Sequence, residues 1–170
     1  RMGFRAVTPV FDGASEEQIE AELARAWIMD QAWKESAERA WEWLKEQEYD
    51  PNSIQDDDEV RRLYLEHWLG KRKYDVYSLV DADYARHATA KEWLREKGYS
   101  NPEEILLDDR DVANPDPEVD EMTVHACLRL WMEVNGIDTE RNYSQNELNK
   151  IIEQSPYYKA TSNDVDWLSK

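Results

Sequence analysis

The strongest constraint on the fold is a Trp-Leu pair that recurs at a fixed interval. Trp43, Trp68 and Trp93 are 25 residues apart, and each is followed by Leu. The flanking residues also match, since residues 40–50 and 90–100 share the pattern Ala-x-Glu-Trp-Leu-x-Glu-x-x-Tyr, and both are followed by Pro and Ile. One amphipathic helix and turn, repeated in this way, predicts units that bury their apolar faces only by stacking on neighbours.

A fourth copy of the pattern follows an acidic, proline-containing loop around residues 109–117. It runs from Trp131-Met132 to Gly136-Ile137. Trp residues at helical spacing are predicted to lie in the core, and the alternative is an exposed binding stripe. The fold predicted is therefore all-α, a module of tandem Trp-Leu helix-turn units.

Capping residues mark the ends of the predicted helices. Ser15 and Ser144 are each followed three residues later by Gln or Glu, the pattern of a capping box. Two further helices begin at residues 56–58 and near residue 81, and a break is predicted near Asp30 of the first helix. The predicted stops are Pro51, Gly70, Gly98, Gly136 and Ser155-Pro156.

The amino-terminal residues 1–14 have a different composition from the rest. They hold two of the five Gly, and Phe4–Phe11 is predicted to be a short extended segment that Pro9 limits to an edge or non-strand role. At the other end, only a short helical turn at Trp167-Leu168 is predicted. We therefore divide the chain into residues 1–23, a helical module at 24–155 and a carboxy-terminal tail at 156–170.

Charge restricts the partners of the chain. There are 38 acidic and 21 basic residues, a formal net charge of -17. This sign opposes binding to nucleic-acid phosphates and to anionic membranes, and it leaves open a basic partner or a DNA-mimicking role. The single cysteine, Cys127, excludes an internal disulfide and a Cys-based zinc cluster, as expected of a cytoplasmic protein.

No pattern of catalytic, cofactor-binding or metal-ligating residues is found, so none is predicted. Glu121 and His125 are spaced as a metal-ligand pair, but two ligands do not make a site. The carboxylates from Asp108 onward fail the EF-hand pattern, because Ala113 and Asn114 stand at a ligand position and at the turn glycine. The sequence also lacks a phosphate-binding Gly loop and a nucleophile elbow.

The string Ala6-Val7-Thr8-Pro9-Val10-Phe11-Asp12-Gly13-Ala14, followed by Ser15-Glu16-Glu17-Gln18-Ile19, resembles the bacterial RNA polymerase β subunit near its carboxy-terminal region. The chain departs from that pattern after about Leu23, and the stretch "LYDGRTGE" that follows in the family does not appear up to Lys170. The resemblance implies that the later residues are a lineage-specific insertion. The family's catalytic metal site lies on the β′ subunit, so no functional residue is carried over.

The predicted function is a non-catalytic insertion module of the β subunit, structural or docking a factor, within a nucleotidyltransferase that performs DNA-templated transcription. Its partners would be other polymerase subunits or transcription factors, in the cytoplasm. No cofactor, direct nucleic-acid contact or membrane contact is expected of the module. The alternative is a separate acidic helical-repeat scaffold for protein–protein interaction, and a DNA mimic is a third hypothesis.

Overall fold

A computed structural model describes residues 16–48, 56–72, 74–107 and 117–158. Within these ranges the chain is helical, without a strand, which confirms the all-α prediction. The elements are α1 (Glu16–Glu46), α2 (Asp57–Gly70), the 3₁₀ helix η1 (Val76–Val80), α3 (Ala82–Glu96), α4 (Pro102–Leu106), α5 (Pro117–Val134) and α6 (Gln145–Glu153), before a helical turn at 156–158. No helix in this part of the chain is long and apolar enough to cross a membrane.

The chain divides into two compact units. Ile28–Asp109 form the central unit, and Arg1–Trp27 with Arg110–Lys170 form the flanking unit. The boundaries predicted at 23/24 and 155/156 are those of an insertion within a longer protein. They are of a different kind from the division into compact units, and they stay a prediction. The extended segment Phe4–Phe11 and the turn at Trp167-Leu168 fall outside the described residues.

Helix α1 is continuous over 31 residues, so the predicted break near Asp30 is wrong. The sequence around it, Ile-Met-Asp-Gln-Ala-Trp, contains neither Pro nor Gly, and nothing there interrupts the backbone hydrogen bonds. Asp30 lies exposed and accepts a hydrogen bond from Arg86 Nη2 at 3.1 Å. A polar residue on the solvent side of a helix does not require a break.

The predicted helix starts are confirmed where the structure describes them. Asp56 and Asp81 cap α2 and α3 by accepting hydrogen bonds from backbone N–H groups of the first turn. At α6 both bonds of the capping box are present. The Glu147 N–H donates to Ser144 Oγ at 3.2 Å, and the Ser144 N–H donates to Glu147 Oε1 at 3.0 Å.

Two helices end in the same Schellman turn, at matching positions of the repeat. After α3, Gly98 has a φ of +101°, and the Tyr99 N–H donates to the Leu94 carbonyl at 3.0 Å. After α5, the corresponding residues are Gly136 with a φ of +72° and the Ile137–Met132 hydrogen bond of 2.9 Å. The repeat seen in the sequence is therefore also a repeat of local backbone geometry.

The first and second copies vary this ending. Glu48 stands where the alignment puts Gly98 and has a φ of +58°, so the left-handed position is kept without glycine. Gly70, predicted to follow α2, is instead its last residue, and Lys71 is the C-cap in a right-handed conformation. A Cβ atom at Gly70 would lie 3.2 Å from Val76 Cγ1, so this glycine allows η1 to pack closely on α2.

The residue after each repeated Trp is buried in all four copies, Leu44, Leu69, Leu94 and Met132. Of the Trp residues themselves, Trp68 and Trp93 are buried, whereas Trp43 and Trp131 are half-buried. The core of the central unit includes side chains from α1, α2, η1 and α3. The Pro-x-x-Ile tail of the third copy forms α4, with Pro102 and Ile105 buried.

Candidate functional site

The rings of two Trp residues are covered by arginine side chains of the central unit. The guanidinium carbons of Arg39 and Arg72 lie 4.7 and 5.3 Å from the Trp68 ring centroid, and Tyr64 stacks on the same ring at 5.7 Å. Arg39 also forms a two-pronged ion pair with Glu96, with distances of 2.8 and 3.0 Å. Trp68 is therefore part of the internal packing.

Trp33 has a similar environment. The guanidinium carbons of Arg61 and Arg86 lie 4.2 and 5.5 Å from its ring centroid. Each such contact contributes about 0.5–2 kcal/mol, depending on how much water is excluded. Together with the burial of Trp68 and Trp93, these contacts favour structural roles for the Trp residues over an exposed binding stripe.

Each unit holds a buried ionic group that the sequence pattern did not indicate. In the flanking unit, Arg25 Nη2 lies 2.7 Å from Asp120 Oδ1, and both side chains are about 8% exposed. In the central unit, the buried Glu92 accepts hydrogen bonds from Tyr74 Oη at 2.9 Å and from Arg95, and pairs with Arg72 at 3.1 Å. Both carboxylates are thus paired with arginines of their own unit.

The residues examined for chemistry from the sequence do not converge. Glu121 Oε1 and His125 Nε2 are 3.9 Å apart, and both side chains are about three-quarters exposed. Across the described ranges, no three His, Cys, Asp or Glu side chains are placed to hold a metal ion. Burial raises the pKa of the Cys127 thiol to about 12, which keeps it protonated near neutral pH and unreactive as a nucleophile. The acidic loop at 108–116 lies outside the described residues.

The 3₁₀ helix η1 carries the most exposed large apolar side chains of the described chain. Tyr77 is 87% exposed and Val80 is 80% exposed. A 3₁₀ helix has three residues per turn, so side chains at i and i+3 lie on the same side. Leu79 is buried in the core and Val76 packs against it. We call Tyr77 and Val80 the η1 face.

A groove of about 380 Å³ begins at the η1 face. It is lined by apolar residues from three helices and η1, together with polar residues of α2: Trp33, Asp58, Arg61, Arg62, Leu65, Leu79, Val80, Ala82 and Ala85. Sequence reasoning missed this surface because η1 was not predicted. Its signal was a short apolar run between Asp75 and Asp81, both of which cap helices.

The flanking unit has a groove of its own, of about 440 Å³, between α5 and α6. Its apolar lining includes Leu128, Met132, Leu148 and Ile152, together with Tyr157. Helix α6 has no fully buried residue, although Leu148, Ile151 and Ile152 lie along one face. Of the two grooves, the central one includes Val80, one of the most exposed large apolar side chains among the described residues.

Comparison with known proteins finds two relatives, both of them bacterial RNA polymerase β subunits. The DNA-directed RNA polymerase β subunits of Dehalococcoides mccartyi strains BAV1 and CBDB1 are each 39% identical to this chain over 67 residues. Part of the chain is similar to an RNA polymerase β subunit. The matched region covers 33% of the chain but only 5% of either relative. No family model and no solved structure matches the chain.

The match is longer than the string at the amino end that carries the resemblance. It covers a third of the 170 residues, so it includes residues outside 6–23. It supports a role related to transcription. It does not by itself identify an insertion.

Proposed function

We propose that this chain is a non-catalytic helical module inserted in the β subunit of a cytoplasmic bacterial RNA polymerase, where it serves a structural or factor-docking role. The observation that carries the proposal is the 39% identity to polymerase β subunits, together with the string at residues 6–14. In the proposed arrangement residues 1–23 belong to the conserved scaffold, residues 24–155 form the insertion, and residues 156–170 lead out of it.

Three structural features support a module that binds proteins and performs no chemistry. The buried carboxylates Glu92 and Asp120 are neutralised by arginines, and the thiol of Cys127 is buried. The net charge of -17 disfavours contact with DNA or RNA. Nucleotide addition would belong to the whole polymerase, and the partners of the module would be other subunits or transcription factors.

The first test is the coding sequence beyond Lys170. Under the proposal, a Tyr-Asp-Gly-Arg-Thr-Gly-like stretch follows soon after, and its absence over the next hundred or so codons would contradict the insertion. An affinity tag on the encoded full-length protein should then recover the other polymerase subunits in constant ratio.

The second test addresses the non-catalytic role. Residues 24–155 are replaced by a short flexible linker in the purified polymerase, and nucleotide addition is measured on a preassembled RNA–DNA scaffold. We expect the rate to stay within about twofold of the parent, because catalytic contributions of single groups are usually a hundredfold or more. A loss of that size would place catalytic machinery in the module.

The competing function is a separate acidic scaffold for protein–protein interaction. The observation that favours it is the exposed η1 face on a repeat-built helical unit, together with the absence of any match to a family model. The tagged protein distinguishes the two, since a separate scaffold would be recovered without polymerase subunits.

A further inference from the structure

From the exposed apolar side chains of η1 and the acidic residues around them, we infer that the η1 face and its groove bind a basic, apolar segment of a partner protein. This inference deepens the factor-docking role proposed above by naming the surface and the chemistry of the partner. It can fail while the proposed polymerase function holds, because its test measures only the binding of peptides to this chain.

Two large apolar side chains of η1 are strongly exposed to solvent. Large apolar side chains more than three-quarters exposed are costly in water, and here two of them, Tyr77 and Val80, share one side of a single helical turn. Val80 also lines a groove whose walls include Leu65, Ala82 and Ala85. An apolar residue with a concave apolar surface beside it is the usual form of a docking site for a partner's anchoring side chains.

Charge decides which partner fits. Residues 74–85 contain Asp75, Asp81 and Asp83 and no Lys, Arg or His, whereas Lys71-Arg72-Lys73 precede this stretch and Arg86-His87 follow it. Asp75 and Asp81 are held in place by capping hydrogen bonds to the N–H groups of Tyr77 and Asp83, each 3.0 Å long. A basic side chain of the partner would therefore meet carboxylates that are already held in position. Less conformational entropy would then be lost when the partner binds.

The arginines in the groove do not reverse this preference. Arg61 donates to Ser36 Oγ at 3.0 Å, stacks on Trp33 and pairs with Asp58 at 3.2 Å. Arg62 pairs with Glu66 at 3.7 Å. Both guanidinium groups are thus engaged with partners in their own unit.

The test is a titration of the isotope-labelled 170-residue chain, followed by backbone amide NMR shifts, with three synthetic peptides. The first is an amphipathic peptide of Leu and Lys, the second replaces each Leu by Ser, and the third replaces each Lys by Glu. We expect the first to shift amides of η1, of the start of α3 and of Leu65. The Ser peptide should bind about tenfold more weakly, and the Glu peptide not at all.

Variants locate the binding surface. The double variant Tyr77→Ser/Val80→Ser should weaken binding of the Leu/Lys peptide about tenfold, and Asp83→Asn should weaken it about twofold at low salt. Val134→Ser, which changes an exposed apolar residue on α5, is the matched control and should leave binding unchanged. Circular dichroism checks that each variant remains folded.

Two results would overturn the inference. One is amide shifts spread over all acidic surfaces with equal affinity for the Leu and Ser peptides, since binding would then be a general attraction to negative charge. The other is localised shifts that the double variant does not weaken. Neither result bears on recovery of polymerase subunits by the tagged full-length protein, so the two proposals are separable.

Discussion

Arg25 and Asp120 form a buried ion pair between α1 and α5, with 2.7 Å between Nη2 and Oδ1. Thr123 Oγ1 lies 3.4 Å from the same Arg25 nitrogen, and Glu22 pairs with the other one at 2.7 Å. The pair links residues 95 positions apart within the flanking unit. Two adjacent carboxylates and a hydroxyl compensate the desolvation of the guanidinium group.

Asp120→Ala should therefore lower the free energy of unfolding by about 3–5 kcal/mol, because it leaves the buried Arg25 charge without its buried carboxylate partner. Urea unfolding followed by circular dichroism measures the loss. Glu133→Gln is the matched control. It breaks the exposed Arg129–Glu133 pair at 3.4 Å, where the cost should stay below about 1 kcal/mol. Equal losses in the two variants would mean that burial does not strengthen the Arg25 pair.

Trp93→Ala should cost about 3–5 kcal/mol, because the ring is only 2% exposed and its removal leaves a cavity. The change also removes the hydrogen bond that Trp93 Nε1 donates to Glu35 Oε1 at 3.1 Å. The same unfolding measurement on Tyr77→Ala, an exposed aromatic residue, should differ from the parent by no more than about 0.5 kcal/mol. A small loss at Trp93 would contradict its position in the core.

The position with positive φ at the end of the repeat helix predicts opposite changes in the free energy of unfolding for substitutions in the third and first copies. Gly98→Ala should destabilise by about 1–2 kcal/mol, because a Cβ is strained at a φ of +101°. Glu48→Gly should stabilise by about 0.5 kcal/mol, since it relieves the same strain at +58° at a smaller entropic cost. Gln47→Gly, one residue earlier, serves as the control and should not stabilise. Thermal unfolding compares all three, and a destabilised Glu48→Gly would contradict the assignment.

Cys127 should react slowly with a thiol reagent in the folded chain. Burial raises its pKa to about 12, so the thiolate fraction at pH 8 is roughly a thousandfold below that of an ordinary cysteine. Absorbance after addition of an aromatic disulfide reagent gives the rate. Asp120→Ala should accelerate the reaction, because it destabilises the same unit, whereas Tyr77→Ala should not. Rapid labelling of the parent chain would show that the thiol is accessible.

Alkaline pH should destabilise the fold between about pH 10 and 12. Burial is the main cause that raises the pKa of Tyr74 to about 12, followed by its hydrogen bond to Glu92, and burial also raises the pKa of Tyr157 to about 12. A tyrosine with a raised pKa in the fold contributes stability that is complete below pH 10 and lost as pH rises toward 12. Urea midpoints at pH 8, 10 and 11 measure the decline.

Tyr74→Phe should make that decline shallower, although it lowers stability at pH 8 by removing the bond to Glu92. Tyr77→Phe removes an exposed hydroxyl and provides the comparison. An unchanged slope in Tyr74→Phe would exclude this residue as a source of the pH dependence.

Features that depend on neighbouring residues were predictable from the sequence. The capping carboxylate of Asp81, the box at Ser144 and the stop at Gly98 act within one turn of their helix, so their pattern is visible in the chain. The burial of Leu44, Leu69, Leu94 and Met132 followed from the repeat, because equivalent positions face equivalent surfaces.

Features that depend on tertiary packing were not predictable. η1 and α4 are each five residues long, too short to be stable alone, and they form because Leu79 and Ile105 are buried by other helices. Neither the Arg25–Asp120 pair nor the central groove has a local signature. Each joins residues from separate helices, so only the folded chain brings them together.

Gly70 lies where η1 packs on α2. A Cβ at position 70 would lie 3.2 Å from Val76 Cγ1, so the Val76 side chain would have to move by a few tenths of an ångström to accommodate it. The close packing of η1 on α2 therefore uses the absence of a side chain at position 70, although this residue is not part of the η1 face.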